Sequence, residues 1–368
     1  MIILELIKNR LMALSVFRRD FWRLSVKTKI GLFKLAIGEK PIFAGGHLFI
    51  SIFAVPCNGP LYKRYLNWAE NFFNGIYTPR SLCICSTNNC LYNCEHCSNK
   101  NAVIGQEISS EEIKMVCDFF IEKGVYRIIF TGGEPLLRPN LSSIIAGLDK
   151  SLTCVILCTT GYGLSLEKAR QLKEAGLMII KIGFDFSNEE ENDRYKNFKG
   201  AFKNSVEAIK NSLEVGLCVV AQTVLKRQLI ESPQKFFEFV NFLEKLGVHE
   251  LEFLEPKPCG NYISSDEIIG QDEKEKFYNL SKKINRGFRR IKCSSYFKQE
   301  DELGCMAGLC NFYLDAIGNL MPCVFVQKSL GNIRNKNLEE IYKNFNSHFI
   351  KPGKNCLSHE ISKQKLTF

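Results

Sequence analysis

Between residues 81 and 254, short apolar runs alternate with stretches whose apolar positions recur every three or four residues. The runs at 82–86, 126–131, 152–159, 177–184, 217–224 and 248–254 read as buried strands. Helix signals lie between them. Ser109-x-x-Glu112 is a capping box opening a helix that ends near Gly124. Ser165 caps a second helix, which stops at Gly176, and residues 200–216 form a third, ending at Gly216. Ser232-Pro233 starts another, with Pro in its first turn. Six strands alternating with helices predict an α/β fold with a parallel sheet. On its amino-terminal side, Ile7, Leu11, Leu14, Phe17, Phe21 and Leu24 mark one face of an amphipathic helix. The last eighty residues change character. Residues 315–319 read as a hairpin turn between two short strands, and a helix begins near Leu338. The expected divisions are a helical extension over 1–80, an α/β core over 81–285 and a small unit over 286–368.

Composition adds little, because 45% hydrophobic and 11% aromatic residues are ordinary for a globular chain. Charge adds more. The chain carries +10, and residues 1–40 hold nine basic against three acidic side chains, +6 of that total. A basic face beside Phe and Trp22 suits either an anionic membrane surface, touched peripherally, or a helix that covers the core with its cations solvated. Nucleic-acid binding is not expected, since no recognition motif accompanies the basic residues. The longest apolar run, 42–55, is interrupted by Gly45, Gly46, His47 and Ser51, too short for a membrane span. Sixteen Cys follow an apolar start broken by Lys8 and Arg10, with no small-residue cleavage site. That favours a reducing cytoplasm and metal chemistry over a disulfide scaffold.

The chemistry centres on Cys90-Leu91-Tyr92-Asn93-Cys94-Glu95-His96-Cys97. Three thiols on one short loop are too few for a closed structural zinc site. They suit a cubane iron–sulfur cluster with three irons held by Cys and a fourth left free. Cys94-x-x-Cys97 alone could also be a redox dithiol or half a zinc finger. The run 126–131 is followed at once by Gly132-Gly133-Glu134-Pro135. The glycines permit a sharp turn and close approach to a ligand, and Glu134 stands at the carboxyl end of a strand.

Together, Cys90, Cys94, Cys97 and Thr131-Gly-Gly-Glu-Pro135 resemble the signature of the radical S-adenosylmethionine (SAM, AdoMet) superfamily. The resemblance implies a partial (β/α)6 barrel in which the three Cys hold a 4Fe–4S cluster and SAM binds its open iron. It implies that Gly132, Gly133 and Glu134 receive the SAM amino group, and that His96 lies near the adenine. Thr160 stands where relatives have Asn, and Asp185 where many also have Asp; Asp185 either touches SAM or substrate or caps its loop. Cys154, Cys158 and Cys218 fall within apolar strands and read as core residues.

Cys305-x4-Cys310-x12-Cys323, containing Gly318-x4-Cys323, resembles the SPASM and twitch extensions of these enzymes. Those carry auxiliary 4Fe–4S clusters, and the resemblance implies one here, on Cys305, Cys310, Cys323 and Cys356. Four Cys also satisfy zinc. Cys293 could replace Cys356, and Cys259 ranks below both. The implied activity is reductive cleavage of SAM to a 5′-deoxyadenosyl radical, fed by an external donor such as flavodoxin or ferredoxin. The radical would attack an unactivated C–H of a peptide or other large substrate, or of a lipid. A zinc- or cluster-containing binding protein without catalysis is the alternative of another class.

Overall fold

In the computed structural model, Met12 and residues 21–36, 39–50, 55–262 and 266–362 are described, and the six apolar runs form six consecutive parallel strands. A hairpin of β1 (Ile42–Ala44) and β2 (His47–Phe49) precedes them. The six are β3 (Ser81–Cys85), β4 (Arg127–Thr131), β5 (Cys154–Thr159), β6 (Ile179–Gly183), β7 (Cys218–Val224) and β8 (Glu250–Leu254). Their side chains alternate between two environments, as the strand period of two requires. Leu82 and Ile84, Ile128 and Phe130, and Val155 and Leu157 join the core beneath the outer helices. Ser81 and Cys83, Arg127 and Ile129, Cys158, Lys181, Gln222 and Glu252 instead line an internal cavity.

The helix signals are realised in hydrogen bonds. Ser109 Oγ accepts from the Glu112 amide at 3.1 Å, and Glu112 accepts from the Ser109 amide at 2.7 Å. Ser165 and Ser232 accept from the amides of Lys168 and Lys235. Each cap satisfies a donor that the first helical turn leaves unpaired.

Beyond residue 286 the strands extend the same sheet. β9 (Lys292–Ser295) adds parallel to β8, and β10 (Asn311–Leu314) adds parallel to β3. β11 (Asn319–Met321) and β12 (Gly331–Asn332) then continue antiparallel, giving ten strands. The physical reason is that an open barrel leaves an unpaired edge on each side. Asn311 Oδ1 accepts from Ser81 Oγ at 2.8 Å and from Arg80 Nε at 2.9 Å, which fixes this register. Asp315 Oδ1 accepts from the amides of Ile317 and Asn319, making the hairpin turn read from the sequence.

The amino-terminal elements close the end of the barrel where the strands begin. Helix Gly59–Phe73 sets Tyr65 and Trp68 against Tyr126, just before β4. Gly45 of the hairpin packs on the backbone before β7, where an added Cβ would lie 2.9 Å from the Gly216 carbonyl oxygen. Helix Val26–Ala36 lies outside helix Gly59–Phe73, with Gly31 against the Phe73 ring. Of the apolar stripe, Phe21 and Leu24 pack partly buried here, while Ile7, Leu11, Leu14 and Phe17 lie outside the described residues.

Candidate active site

The cysteine loop leaves the end of β3, and Cys90, Cys94 and Cys97 line one cavity of about 450 Å³ at the carboxyl ends of the strands. The loop is held from two sides. The Asn93 and Glu95 amides donate to the carbonyls of Lys196 and Tyr195. On the other side Asn261 donates its amide to the Cys97 carbonyl at 3.2 Å and its side chain to the Cys94 carbonyl at 2.9 Å. Burial pushes the Cys94 thiol up to about 11, against the charge of Lys196. Thiols raised in this way give up their protons to a metal, so binding and proton release are coupled. Three thiols on one anchored loop, facing one cavity, fit a cluster with three protein ligands.

The two glycines after β4 are required by contact. A Cβ on Gly132 would lie 2.4 Å from the Thr87 carbonyl oxygen, and one on Gly133 would lie 2.3 Å from that of Asn89. Both line the cavity, as does Thr160. Glu134 lies behind them, only 1% exposed, and is not part of the cavity wall. Its carboxylate accepts four hydrogen bonds: from Leu136 N at 3.0 Å, Thr159 Oγ1 at 2.6 Å, Thr160 N at 2.7 Å and Thr160 Oγ1 at 2.5 Å. Burial raises its pKa against these donors. Glu134 thus braces the wall that carries Thr160.

His96 lines the cavity with its ring stacked on Tyr195 at 5.0 Å. Burial lowers its pKa to about 3, so the imidazole is neutral at pH 7. Asp185 is buried below the wall, bonded to Lys196 at 2.7 Å, Lys226 at 3.0 Å and Thr223 Oγ1 at 2.8 Å. Burial opposes its charge, but Lys196 and Lys226 outweigh it and hold the carboxyl well below the usual range. Lys196 also lines the cavity, within reach of the cysteine loop. Sequence reasoning missed both lysines. A signal existed, since Asp185 and Lys226 each follow an apolar strand, where a buried charge needs a partner.

The barrel interior is polar. Lys181 Nζ bonds both oxygens of Glu252, at 2.8 and 2.7 Å, and Gln222 Nε2 donates to the same carboxylate at 2.6 Å. Cys158 lines this space with Cys83, which corrects the expectation that Cys158 is a core residue. Cys154 and Cys218 are in the core as expected, packed in the plug under the barrel.

A second group of thiols lies beyond the segment that anchors the cysteine loop, with Cys259 near enough to feel the Cys97 charge. Cys305, Cys356 and the Glu300 carboxylate bring their ligand atoms within 4.8 Å of one another. Cys323 packs with Cys305, and Cys323 and Cys259 line the cavity. Cys259 and Cys323 both feel the Cys356 charge. The hydrogen bond from Cys305, with Lys257 nearby, holds the Cys356 thiol down as the anion of that pair. Lys257 is buried, donates to Glu255 and meets Glu300 at 2.8 Å, so a cation stands beside the Cys356 thiolate and its neighbouring thiols. Cys310 is not brought into this group. It is fully buried in the plug beside Trp68 and Arg80. Cys305 and Cys356, with Cys323 packed on Cys305 and Cys259 on the same cavity, offer the thiol donors that a second cluster would need.

Comparison with known proteins places this geometry. The family profile "Radical SAM superfamily" matches residues 84–240, and "Iron-sulfur cluster-binding domain" (SPASM) matches 305–358. The AdoMet-dependent heme synthase of Methanosarcina barkeri is 27% identical over 292 residues, covering 72% of this chain and 82% of that protein. The GTP 3′,8-cyclase of Aquifex aeolicus is 31% identical over 244 residues, covering 61% of this chain and 73% of that one. Among solved structures, Streptococcus suis SuiB bound to S-adenosylmethionine aligns with a TM-score of 0.62 at 14% identity, over 78% of this chain and 73% of that one. anSMEcpe with bound AdoMet aligns at 0.56 and 18%, over 74% and 83%. The cofactors of such a chain are AdoMet and 4Fe–4S clusters, and the protein belongs to the radical SAM superfamily as an enzyme with a SPASM domain.

Proposed function

We propose that this enzyme takes a hydrogen atom from a peptide side chain seated between two iron–sulfur centres, the first on Cys90, Cys94 and Cys97, the second on Cys259, Cys305, Cys323 and Cys356. One observation carries the reading: a single cavity is lined by the first thiols, by Cys259 and Cys323, and by the Lys181–Glu252–Gln222 group inside the barrel. When bound, the cluster and AdoMet supply a 5′-deoxyadenosyl radical. The chain supplies position. Gly132 and Gly133 let the backbone approach AdoMet, Thr160 presents a hydroxyl, and neutral His96 on Tyr195 offers a flat surface. Lys196 places a cation at the wall. Within the barrel, the Lys181–Glu252 pair presents both signs of charge to a polar side chain. An external flavodoxin- or ferredoxin-type donor supplies the electron.

A cavity of about 450 Å³ is modest for its class; small-molecule sites span roughly 300–1,000 Å³. AdoMet would share this space with the substrate. Fold neighbours include SuiB with its precursor peptide SuiA and anSMEcpe with a peptide. The relatives named heme synthase, and a Fe-coproporphyrin III synthase 29% identical over 156 residues, support a second reading, a carboxylated tetrapyrrole met by Arg127 and Lys181.

The test is to incubate anaerobic holoenzyme, AdoMet and reductant with a peptide extract from the source cells, and separately with Fe-coproporphyrin III. Mass spectrometry should find a modified peptide whose formation is lost in Lys181→Met while 5′-deoxyadenosine still forms. An unchanged peptide pool with a chemically altered tetrapyrrole would replace the first reading by the second.

A further inference from the structure

The segment 21–36 holds four large apolar side chains that face solvent at helical spacing. Trp22 is 67% exposed, Val26 71%, Ile30 52% and Phe33 62%. Their steps of four, four and three place them along one side of the turn Phe21–Arg23 and helix Val26–Ala36. The opposite side is committed to the protein. Leu32 is buried, Gly31 lies against Phe73, and the Ser25 amide donates to Glu70 at 3.1 Å. The helix therefore cannot rotate to hide its stripe without breaking these contacts. Arg23, Lys27, Lys29 and Lys34 flank the stripe, and the segment contains no Asp or Glu. Arg23 sits over the Trp22 ring at 5.2 Å.

From this face we infer that the enzyme docks on an anionic lipid bilayer through Trp22, Val26, Ile30 and Phe33, with Arg23, Lys27, Lys29 and Lys34 at the headgroups. A fixed apolar stripe flanked by four cations on its own segment, with Glu39, Asp301 and Glu302 confined to the cavity beside Ile30, matches an interface whose surface is anionic and whose interior is apolar. Among the described residues no helix is long and apolar enough to cross a membrane, so the stripe lies in the interface. Docking also has a direction. Helix Gly59–Phe73, on which this helix rests, covers the strand starts through Tyr65, Trp68 and Tyr126. The cysteine loop leaves the strand ends, about a strand length away, roughly 17 Å for five residues. The bound enzyme thus turns its cavity away from lipid, toward a substrate and electron donor arriving from water.

The experiment uses full-length holoenzyme with vesicles of phosphatidylcholine alone or mixed with phosphatidylglycerol. Co-sedimentation is expected with the mixed vesicles only, and to fall at least tenfold from 0.1 to 1 M salt as screening shortens the field. The Trp22 emission should shift to the blue, and Trp22→Phe should remove that shift while Trp68 stays silent in the core. Lys27→Gln, Lys29→Gln and Lys34→Gln together should weaken partitioning about a hundredfold, at about fivefold per cation. Formation of 5′-deoxyadenosine should not change in this variant. Absence of binding to mixed vesicles at low salt, or equal binding by the triple variant, overturns the inference. A lipid-independent dimer that Phe33→Ser dissolves would also overturn it, assigning the face to a second copy of the chain.

Discussion

Replacing Glu134 by Gln separates two roles that the sequence alone leaves together. In the structure its two oxygens accept from Leu136 N, Thr159 Oγ1, Thr160 N and Thr160 Oγ1. Gln keeps the shape but turns one acceptor into a donor. Threonine hydroxyls can rotate to accept from it, but the backbone N–H of Leu136 or Thr160 cannot. One buried N–H left unpaired costs about 1–3 kcal/mol, and the surviving bonds lose about 1 kcal/mol with the charge. The sum is about 3 kcal/mol. At about 2 °C per kcal/mol for a chain longer than 250 residues, thermal unfolding should move down by roughly 6 °C. Because Thr160 moves only indirectly, AdoMet affinity should weaken less than tenfold. Calorimetric unfolding and AdoMet titration of the anaerobic holoenzyme read both quantities. A direct contact with the AdoMet amino group predicts the reverse: an unchanged midpoint and a tenfold to hundredfold loss of affinity. That outcome would refute the bracing role.

Asp185→Asn leaves Lys196 and Lys226 without their counter-ion and should destabilise the fold by about 3–5 kcal/mol, seen in denaturant titration. Because its native pKa is depressed, the stability that Asp185 gives is present above the unfolded value near about 4 and is lost as pH falls below it. The acid limb of the stability profile should therefore flatten in the Asn variant. Cys90→Ala, Cys94→Ala and Cys97→Ala together should abolish 5′-deoxyadenosine formation and leave about four irons per chain, measured by product analysis and iron assay. Cys259→Ala should likewise remove about four irons, whereas Cys310→Ala should keep them and lose only core packing. Glu300→Gln should keep the iron count, since that carboxylate is paired with Lys257.

Much of the fold was legible because its elements are local. The Ser109–Glu112 box, the Ser165 and Ser232 caps and the six apolar runs each depend on neighbours a few residues away. The cysteine loop and the glycines after β4 were legible for the same reason. The second thiol group was legible in part: the sequence offers Cys305, Cys323 and Cys356, but it also offers Cys310. Cys305 and Cys310 are five apart, yet the chain between them turns so that one faces Cys356 and the other faces Trp68. Cys259 reaches the same wall from the end of β8, a proximity that spacing does not encode. The Asp185–Lys196–Lys226 group and the Lys181–Glu252 pair join residues from separate strands and helices, so only the closed sheet brings them together. The carboxyl-terminal strands read as a separate unit because nothing local says which edge they pair with.

The most direct measurement is a combined assay on anaerobically reconstituted protein: iron, sulfide and zinc content, then 5′-deoxyadenosine formed from AdoMet on reduction. The account predicts about eight irons with matching sulfide, no stoichiometric zinc, and 5′-deoxyadenosine and methionine in equal amounts. Zinc in place of iron and sulfide, or a fully loaded protein that leaves AdoMet intact, would contradict it.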